Sequence, residues 1–359
     1  MTRHNIYFLI VVLLLSCSKS EKKNTINKSP RIKNQTSILS PKNGSTYTIG
    51  ETIHFEIGSN DDIAVDSVVI KKTNTSKNLF IDKSFTIDSK SYFVGRNDIV
   101  IAVYFDNGKK EIKPLTIFLN SDIQPKAYTY RVLDTHPHNT EAYTQGLLID
   151  DGVLYESTGG HGRSNIRTVN LTNGNIQLNI SLEKDFFGEG IATYQNYIYM
   201  LTWKSRKGMI YDKNTLEFVR SFYYPTDGWG LTTKNDTLIM SDGTEVLYFM
   251  EPQGFTEVKR IEVYDNMGKI DSLNELEYFN EYIYANRWLT DIIYKIDPSS
   301  GKVLGTVDLS GLLDTEGIEH EVDVLNGIAF DKKLNKIYVT GKLWPSIFEI
   351  EFVDRINNI

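Results

Sequence analysis

Phe187-Gly188-Glu189-Gly190-Ile191 and Asp227-Gly228-Trp229-Gly230-Leu231 are two copies of a pattern that recurs through the last two-thirds of the chain. Three further copies are Tyr143-Thr144-Gln145-Gly146-Leu147, Asn274-Glu275-Leu276-Glu277 and Asn326-Gly327-Ile328-Ala329. If Gly146, Gly190, Gly230, Glu275 and Gly327 are taken as equivalent, the successive steps are 44, 40, 45 and 52 residues. Repeats of this length that contain several short strands are typical of a β-propeller.

Each repeat contains β-rich runs separated by hairpin signals such as Asp151-Gly152 and Ser300-Gly301. The first four repeats have four runs, whereas the fifth has three before Ile359. A missing fourth strand would leave one sheet edge unpaired. We therefore expect Tyr128–Val132, which precedes the first repeat, to supply that strand and close a five-bladed ring. An irregular β-sandwich is the alternative, but it leaves the repeat unexplained.

A second β pattern, without this period, precedes the repeats. Short strand-like runs such as Thr52–Ile57 and Ile112–Leu119 alternate there with polar turns. The pattern predicts a small immunoglobulin-like β-sandwich at residues 37–123. The expected fold is therefore all-β, with this sandwich followed by a five-bladed β-propeller at residues 126–354.

The N-terminus has the features of an export signal. Arg3 and His4 precede an apolar run from Ile6 to Leu15, which is too short to span a bilayer, and Ser16-Cys17 follows. Residues 1–17 thus resemble a bacterial lipoprotein signal that leaves Cys17 as the lipidated N-terminus, although cleavage without a lipid remains an alternative. Residues 18–36 are rich in Lys, Asn and Ser and predict a flexible tether. The expected location is the bacterial cell envelope, in the periplasm or at the outer membrane.

Composition and motifs exclude several classes of function. The formal net charge is −7 and no basic stripe follows the repeats, so nucleic acid is not an expected partner. No Gly-rich phosphate loop and no Gly-x-Ser-x-Gly elbow occurs. The only closely spaced histidines are His136 and His138, which we expect to be polar loop residues. We therefore predict no metal and no cofactor, and we expect a monomer.

The residues suited to chemistry occupy equivalent places in the repeats. Trp203 and Trp288 each lie 13 residues after the reference position of their repeat, and Lys342 lies near the corresponding point of the fifth. Because the innermost strands of a propeller converge on one axis, these side chains should meet those of the repeat openings, which are Gln145, Glu189, Trp229, Asn274 and Asn326. Tryptophans that pack between blades are the alternative. An aromatic bowl around one glutamate would raise its pKa and suit it to shuttle a proton.

These motifs, together with Leu201-Thr202-Trp203, Ala285-Asn286-Arg287-Trp288 and Thr340-Gly341-Lys342, resemble the plant and bacterial type of glutaminyl-peptide cyclotransferase. The resemblance runs from about Tyr128 to Phe352 and implies a five-bladed propeller. It implies an active site formed by Gln145, Phe187, Glu189, Trp203, Trp229, Asn274, Trp288 and Lys342. One departure is Tyr143, where the family often has phenylalanine.

The resemblance implies a reaction in which an N-terminal glutamine of a peptide or protein cyclises to pyroglutamate and releases ammonia. Glu189 would take the proton from the α-amine and deliver it to the departing nitrogen, without a metal. Two other readings remain open. One is a lipid-tethered, non-catalytic propeller that binds a peptide or glycan. The other is a metal-dependent, lactonase-like propeller, for which Glu189, Asn274 and Asn326 would supply part of the ligand set.

Overall fold

The structure is a computed structural model that describes residues 34–60, 64–72 and 77–355. Within these ranges the chain is all-β apart from a single turn of 3-10 helix at Ser89–Ser91. None of the described helices has the length and apolar character needed to cross a membrane. The predicted signal, Cys17 and most of the predicted tether lie outside the described residues.

The N-terminal unit consists of two sheets that enclose one hydrophobic core. The strands are β1 (Thr36–Ser40), β2 (Ser45–Thr48), β3 (Thr52–Ser59), β4 (Val65–Lys72), β5 (Lys77–Phe80), β6 (Ser84–Asp88), β7 (Gly95–Phe105) and β8 (Lys110–Asn120). One sheet has the order β1-β3-β6 and the other β2-β8-β7-β4-β5. Alternation along β3 buries Ile53 and Phe55 against Ile101 and Ile117 of the second sheet.

The ring unit, which follows, begins with a long strand and then forms three separate four-stranded antiparallel sheets. These strands are β9 (Lys126–Pro137); β10 (Thr144–Asp150), β11 (Val153–Thr158), β12 (Asn165–Val169) and β13 (Ile176–Ser181); β14 (Gly188–Tyr194), β15 (Tyr197–Thr202), β16 (Lys207–Asp212) and β17 (Phe218–Tyr223); β18 (Leu231–Lys234), β19 (Thr237–Ser241), β20 (Val246–Glu251) and β21 (Thr256–Glu262). Each sheet is a meander whose strands pair in sequence order.

The last part of the ring unit is an eight-stranded sheet. Its strands are β22 (Leu273–Phe279), β23 (Tyr282–Arg287), β24 (Ile292–Ile296), β25 (Val303–Asp308), β26 (Leu325–Asp331), β27 (Lys336–Gly341) and β28 (Ser346–Asp354), together with β9. The order is β22-β23-β24-β25-β9-β28-β27-β26. It consists of two four-strand groups joined where β25 and β9 pair in parallel.

The first strands of the successive groups form a closed ring. β10 contacts β14, β14 contacts β18, β18 contacts β22, β22 contacts β26, and β26 returns to β10. These strands carry the repeat openings, so the expected convergence of distant segments is confirmed. The arrangement of the sheets is propeller-like.

Glycine in the repeat openings permits this close approach. A Cβ atom added to Gly146 would lie 2.7 Å from the Ile191 backbone nitrogen, and one added to Gly190 would lie 2.5 Å from that of Leu231. A Cβ atom on Gly230 would collide with the Asn274 carbonyl oxygen. Real Cβ atoms are not found at such distances from backbone, so each glycine admits the first strand of the next sheet.

Glu275 occupies the corresponding position of the fourth repeat. Its side chain bonds to the backbone of neighbouring first strands, whereas the glycines let those strands approach directly. Its two carboxyl oxygens accept hydrogen bonds from the backbone nitrogens of Ile328, at 2.9 Å, and Leu147, at 3.4 Å. Buried backbone N–H groups require partners. Glu275 therefore connects three of the first strands where the sequence departs from glycine.

β9 closes the ring, as the sequence predicted for Tyr128–Val132. It pairs antiparallel with β28 over nearly its whole length, with Tyr130 opposite Phe352 and Val132 opposite Ile350. The strand is longer than predicted because it begins at Lys126 and ends at Pro137. Its first residues also pair in parallel with Gly305–Val307 of β25, which the repeat pattern did not indicate.

A buried ionic cluster reinforces this closure immediately after β9. His138 Nδ1 lies 2.8 Å from the Trp344 carbonyl oxygen, and Nε2 lies 2.9 Å from Glu156 Oε1. Arg167 Nη2 donates to Glu156 Oε2 at 2.7 Å. The expectation that both histidines are polar loop residues is wrong for His136, which lies in β9, whereas His138 does follow the strand in a loop but is buried.

The N-terminal unit contacts the outer side of the ring unit through polar groups. The Arg96 backbone nitrogen donates to Glu262 Oε2 at 2.9 Å, and Lys302 Nζ forms an ion pair with Asp122 at 2.6 Å. These contacts lie along β21 and the start of β25. They are remote in the fold from the repeat openings.

We expect Glu156→Gln to lower the free energy of unfolding at neutral pH by roughly 3–5 kcal/mol, because it leaves the buried Arg167 guanidinium without its carboxylate. Burial alone would raise the pKa of Glu156, but His138 and Arg167 outweigh that effect and lower the pKa from 4.5 to about 2. A depressed carboxyl pKa stabilises the fold above the ordinary pKa and ceases to do so as pH falls through the depressed one. The difference between wild type and variant should therefore shrink between pH 4.5 and 2.

Denaturant unfolding across this pH range measures the effect. Glu257→Gln is the matched control, because Glu257 pairs with Arg260 at the exposed surface and such pairs contribute about 0–1 kcal/mol. A Glu156→Gln variant as stable as Glu257→Gln at pH 7 would contradict the role assigned to the cluster.

Candidate active site

A cavity of about 240 Å³ opens at the end of the ring where the first strands begin. Its lining residues are Tyr143, Gln145, Phe187, Glu189, Trp203, Trp229, Asn274, Trp288 and Lys342. Every predicted site residue of the ring unit except Asn326 is thus in the wall. A second cavity of about 460 Å³ lies at the opposite end of the same strands, and Thr232, Glu277 and Phe330 are among its lining residues.

The repeat explains how these side chains come together. Gln145, Glu189 and Asn274 lie at the start of β10, β14 and β22, which are neighbours in the ring or one strand apart. Trp203 and Trp288 follow the ends of β15 and β23 directly, so both stand above the ring at equivalent places. Lys342 follows β27 in the same way.

Glu189 is the one carboxylate in the cavity wall and is only 4% exposed. Burial raises its pKa well above the usual range, the nearby Lys342 ammonium opposes the rise, and Asp227 adds to it. Gln145 Nε2 donates a hydrogen bond to Glu189 Oε1 at 3.3 Å. The group can therefore exchange a proton nearer to neutral pH than an exposed glutamate.

Asn326 lies behind Gln145 and not in the cavity wall. Its Nδ2 donates to the Thr144 carbonyl oxygen at 3.0 Å and to Gln145 Oε1 at 3.3 Å. With Gln145 Oε1 engaged in this way, the Nε2 end of the amide faces Glu189. Asn326 thus orients Gln145.

Two buried polar atoms of the wall have no partner among the described residues. They are the donor Trp229 Nε1 and the acceptor Asn274 Oδ1. Buried polar groups in proteins are almost always satisfied, and a ligand can supply the missing partner. The cavity therefore suits a ligand that carries both a hydrogen-bond acceptor and an N–H donor.

The rest of the wall is aromatic. Phe187 and Trp203 meet edge to face with ring centroids 5.6 Å apart, and Trp229 and Trp288 do so at 5.7 Å. Trp288 is 41% exposed, which places it at the mouth. Such walls exclude water from a small polar ligand and strengthen the electrostatic interactions inside.

Lys342 is the cation of the site and is 3% exposed. Its Nζ lies 4.8 Å from the centroid of the Tyr143 ring. Burial lowers the pKa of Lys342, whereas Glu189 and Asp323 raise it. Burial and the nearby Asp323 carboxylate raise the pKa of Tyr143 to about 12, so its hydroxyl is neutral.

Sequence reasoning missed the roles of Tyr143 and Asp323. Tyr143 was visible as a member of the first repeat opening, two residues before Gln145. Asp323 lies in the segment that lengthens the last step to 52 residues, outside the periodic pattern, so no sequence signal identified it.

No histidine or cysteine lines the described cavity. Among the described residues, the ligand atoms of Asp134, His136 and Glu349 lie within 4.8 Å of one another, on β9 and β28. Lys336 Nζ already forms an ion pair with Glu349 Oε2 at 2.8 Å. An ammonium therefore supplies positive charge to this cluster, which is separate from the cavity.

Comparisons with known proteins agree over the ring unit. Residues 110–352 match the family described as glutamine cyclotransferase. A glutaminyl-peptide cyclotransferase of Arabidopsis thaliana is 37% identical over 236 residues, which are 64% of this chain and 73% of the plant protein. The crystal structure of Myxococcus xanthus glutaminyl cyclase is 33% identical, with a TM-score of 0.60, and the match covers 64% of this chain and 98% of the bacterial one.

We expect Glu189→Gln to stabilise the fold at alkaline pH relative to wild type. A carboxyl whose pKa is raised by burial favours folding in its neutral form, and that contribution is lost as pH rises through the raised pKa. The glutamine side chain that replaces Glu189 carries no charge at any pH. Melting temperatures at pH 5 and pH 9 should therefore show wild type losing stability relative to Glu189→Gln as pH rises.

Glu319→Gln is the control, because Glu319 is an exposed carboxylate that should follow wild type at both pH values. If the difference in melting temperature between Glu189→Gln and wild type were the same at pH 5 and pH 9, ionisation of Glu189 would not destabilise the folded protein, and the prediction would be wrong.

Proposed function

Because the chain belongs to the glutamine cyclotransferase family and is a glutaminyl-peptide cyclotransferase, we propose that it converts N-terminal glutamine of peptides and proteins to pyroglutamate, with Glu189 as the proton shuttle. The observation that carries this proposal is the single buried carboxyl of raised pKa in a small, largely aromatic cavity. Its substrate would enter with the glutamine residue in the cavity and the rest of the peptide leaving past Trp288.

The reaction forms one bond and breaks one. The α-amine nitrogen attacks the side-chain carboxamide carbon, a tetrahedral intermediate forms, and the bond from that carbon to the amide nitrogen breaks. The products are the five-membered lactam and ammonia. Both reacting groups belong to one residue, so a wall that holds the bent rotamer gains the rate advantage of proximity.

Glu189 serves both proton transfers in this scheme. A free α-amine has a pKa of about 7.7–8.0 and must lose a proton to attack, and the departing nitrogen must gain one. The carboxylate accepts the first proton and the resulting acid donates it to the leaving group. Its raised pKa brings the two groups closer in proton affinity, which favours transfer in both directions.

The other wall groups bind and orient the substrate. The unpartnered Asn274 Oδ1 accepts from a substrate N–H, and Trp229 Nε1 donates to a substrate oxygen. The Lys342 ammonium stabilises the negative charge that develops on the carboxamide oxygen. Gln145, fixed by Asn326, holds the Glu189 carboxyl in place.

We propose that catalysis is independent of a metal. The groups in the described wall are one carboxylate, one ammonium, two carboxamides and aromatic rings, with no histidine or cysteine. A catalytic zinc usually has three protein ligands drawn from histidine, cysteine and carboxylates. The developing oxyanion has Lys342 as its source of positive charge.

The finer architecture belongs to the same proposal. We infer five blades, because three four-stranded sheets and two four-strand groups of the eight-stranded sheet carry the five repeats. We infer an immunoglobulin-like sandwich for the N-terminal unit from its two sheets and common core. We also propose a monomer that is anchored to the bacterial cell envelope by a lipid on Cys17, which the basic and apolar residues before it support.

We expect Glu189→Gln to reduce turnover of a Gln-initiated peptide by about 10³ to 10⁴, near the upper end for general acid–base assistance, because one group serves both transfers. Mass spectrometry that follows the loss of one ammonia per peptide measures the rate. Peptide affinity should change little, because the aromatic wall and Asn274 remain.

Two variants bracket this result. Glu319→Gln, at an exposed position, should retain the wild-type rate. Trp288→Ala should raise KM as well as lower kcat, because Trp288 forms the mouth. If Glu189→Gln kept a tenth or more of wild-type turnover, as an order of magnitude, the shuttle would lie elsewhere.

Turnover should survive treatment with EDTA or phenanthroline. The physical reason is that the oxyanion and both proton transfers are served by side chains of the wall. Abolition of activity by the chelator, with recovery on adding zinc, would overturn the metal-independent mechanism. A lower melting temperature with unchanged turnover would instead point to a structural ion remote from the reaction.

A further inference from the structure

Asp323 is not in the cavity wall and lies outside the repeat pattern, but its backbone pairs with that of the wall residue Lys342. Its backbone nitrogen donates to the Lys342 carbonyl oxygen at 2.9 Å, and the Lys342 nitrogen donates to the Val324 carbonyl oxygen at 2.9 Å. Trp344 Nε1 donates to the Asp323 carbonyl oxygen at 2.7 Å. The segment before β26 therefore forms hydrogen bonds with both the backbone carbonyl oxygen and the backbone nitrogen of Lys342.

The half-buried Asp323 carboxylate is held by its own segment and lies near Tyr143. Oδ1 accepts from the Val324 backbone nitrogen at 2.6 Å, and the carboxylate is near enough to Tyr143 to raise the pKa of its hydroxyl. The backbone at Tyr143 is fixed as well, since the Leu343 nitrogen donates to the Ala142 carbonyl oxygen at 2.7 Å. A carboxylate held in this way is suited to act on its neighbours and not on the substrate.

The neighbour on which it acts is Lys342. The charged or titratable groups that face this ammonium are Glu189 from β14, Asp323 from the segment before β26, and the Tyr143 ring before β10. Burial opposes protonation of Lys342, and the two carboxylates oppose that effect. With Glu189 alone as counter-charge, protonation of Lys342 would depend on the same carboxylate that must bind and release protons.

We propose that Asp323 is a positioning residue that keeps Lys342 protonated and over the Tyr143 ring throughout the reaction. The second carboxylate supplies a counter-charge that persists when Glu189 becomes neutral on taking the substrate proton. Lys342 can then stabilise the oxyanion at the moment when Glu189 carries the proton. This inference rests on the proposed function for its catalytic meaning, but the state of Lys342 can be measured without turnover.

The test compares wild type with Asp323→Asn, which keeps the acceptor for the Val324 nitrogen and removes the charge. In protein labelled with ¹⁵N-lysine, NMR follows the Lys342 Nζ signal against pH, assigned by its loss in Lys342→Arg. Loss of a nearby opposite charge should lower the titration midpoint by about one pH unit. The high-pH limb of kcat for a Gln-initiated peptide should move down by a similar amount.

Glu319→Gln removes one negative charge from an exposed position of the same segment and is the matched control. It should leave both the NMR midpoint and the kcat profile unchanged, and Asp323→Glu should restore them towards wild type. If Asp323→Asn does not fold, Asp323→Ser supplies the same loss of charge with a smaller acceptor.

If the Lys342 titration midpoint in Asp323→Asn equals the midpoints in wild type and Glu319→Gln, the inference is overturned, whatever the activity. A lowered midpoint with an unmoved kcat limb also overturns it, because Lys342 would then titrate without consequence for the reaction. If wild type forms no pyroglutamate at all, the proposed function fails, and the NMR midpoint still decides whether Asp323 controls Lys342.

Discussion

The structure depends on the close approach of the first strands of successive sheets around the axis. At Gly146, Gly190 and Gly230 there is no room for a Cβ atom against the backbone of the next strand. This contact fixes the spacing of the sheets at the level where Gln145 and Glu189 point into the cavity. Interiors packed this closely resist small displacements. A site whose groups must be held within a fraction of an ångström is therefore built on the most constrained part of the fold.

Closure of the ring is the second constraint, because any looseness between the last and first sheets would be felt at the cavity. β9 pairs with β28 and β25, and His138, Glu156 and Arg167 join the end of β9 to the first sheet. Thr144 Oγ1 also donates to Glu156 Oε1 at 2.7 Å. Thr144 is adjacent to Gln145, so the ionic cluster that closes the ring also fixes the backbone that carries a site residue.

The sequence predicted the features that repeat and missed those that do not. The period located the first strands, the closing strand and seven of the nine residues in the cavity wall, because equivalent positions in repeats become neighbours around an axis, and the family resemblance added Phe187. Asp323 was missed because it lies in the one lengthened interval, and the bridging role of Glu275 because a carboxylate there has no counterpart in the other repeats. The burial of His138 was missed, since its partners, the Glu156 carboxylate and the Trp344 carbonyl oxygen, lie in other repeats of the sequence pattern and only the folded ring brings them together.

Burial acts in opposite directions on the two charged groups of the cavity, and this opposition organises the site. It raises the pKa of Glu189 and lowers that of Lys342, so each group is drawn towards its neutral form. A simple ion pair between them would restore both charges and remove the tendency of Glu189 to accept a proton. Asp323 and the Tyr143 ring offer Lys342 a separate environment. The cation can then remain a cation while the carboxylate changes its charge, which is the condition that a single shuttle beside a fixed oxyanion-stabilising group requires.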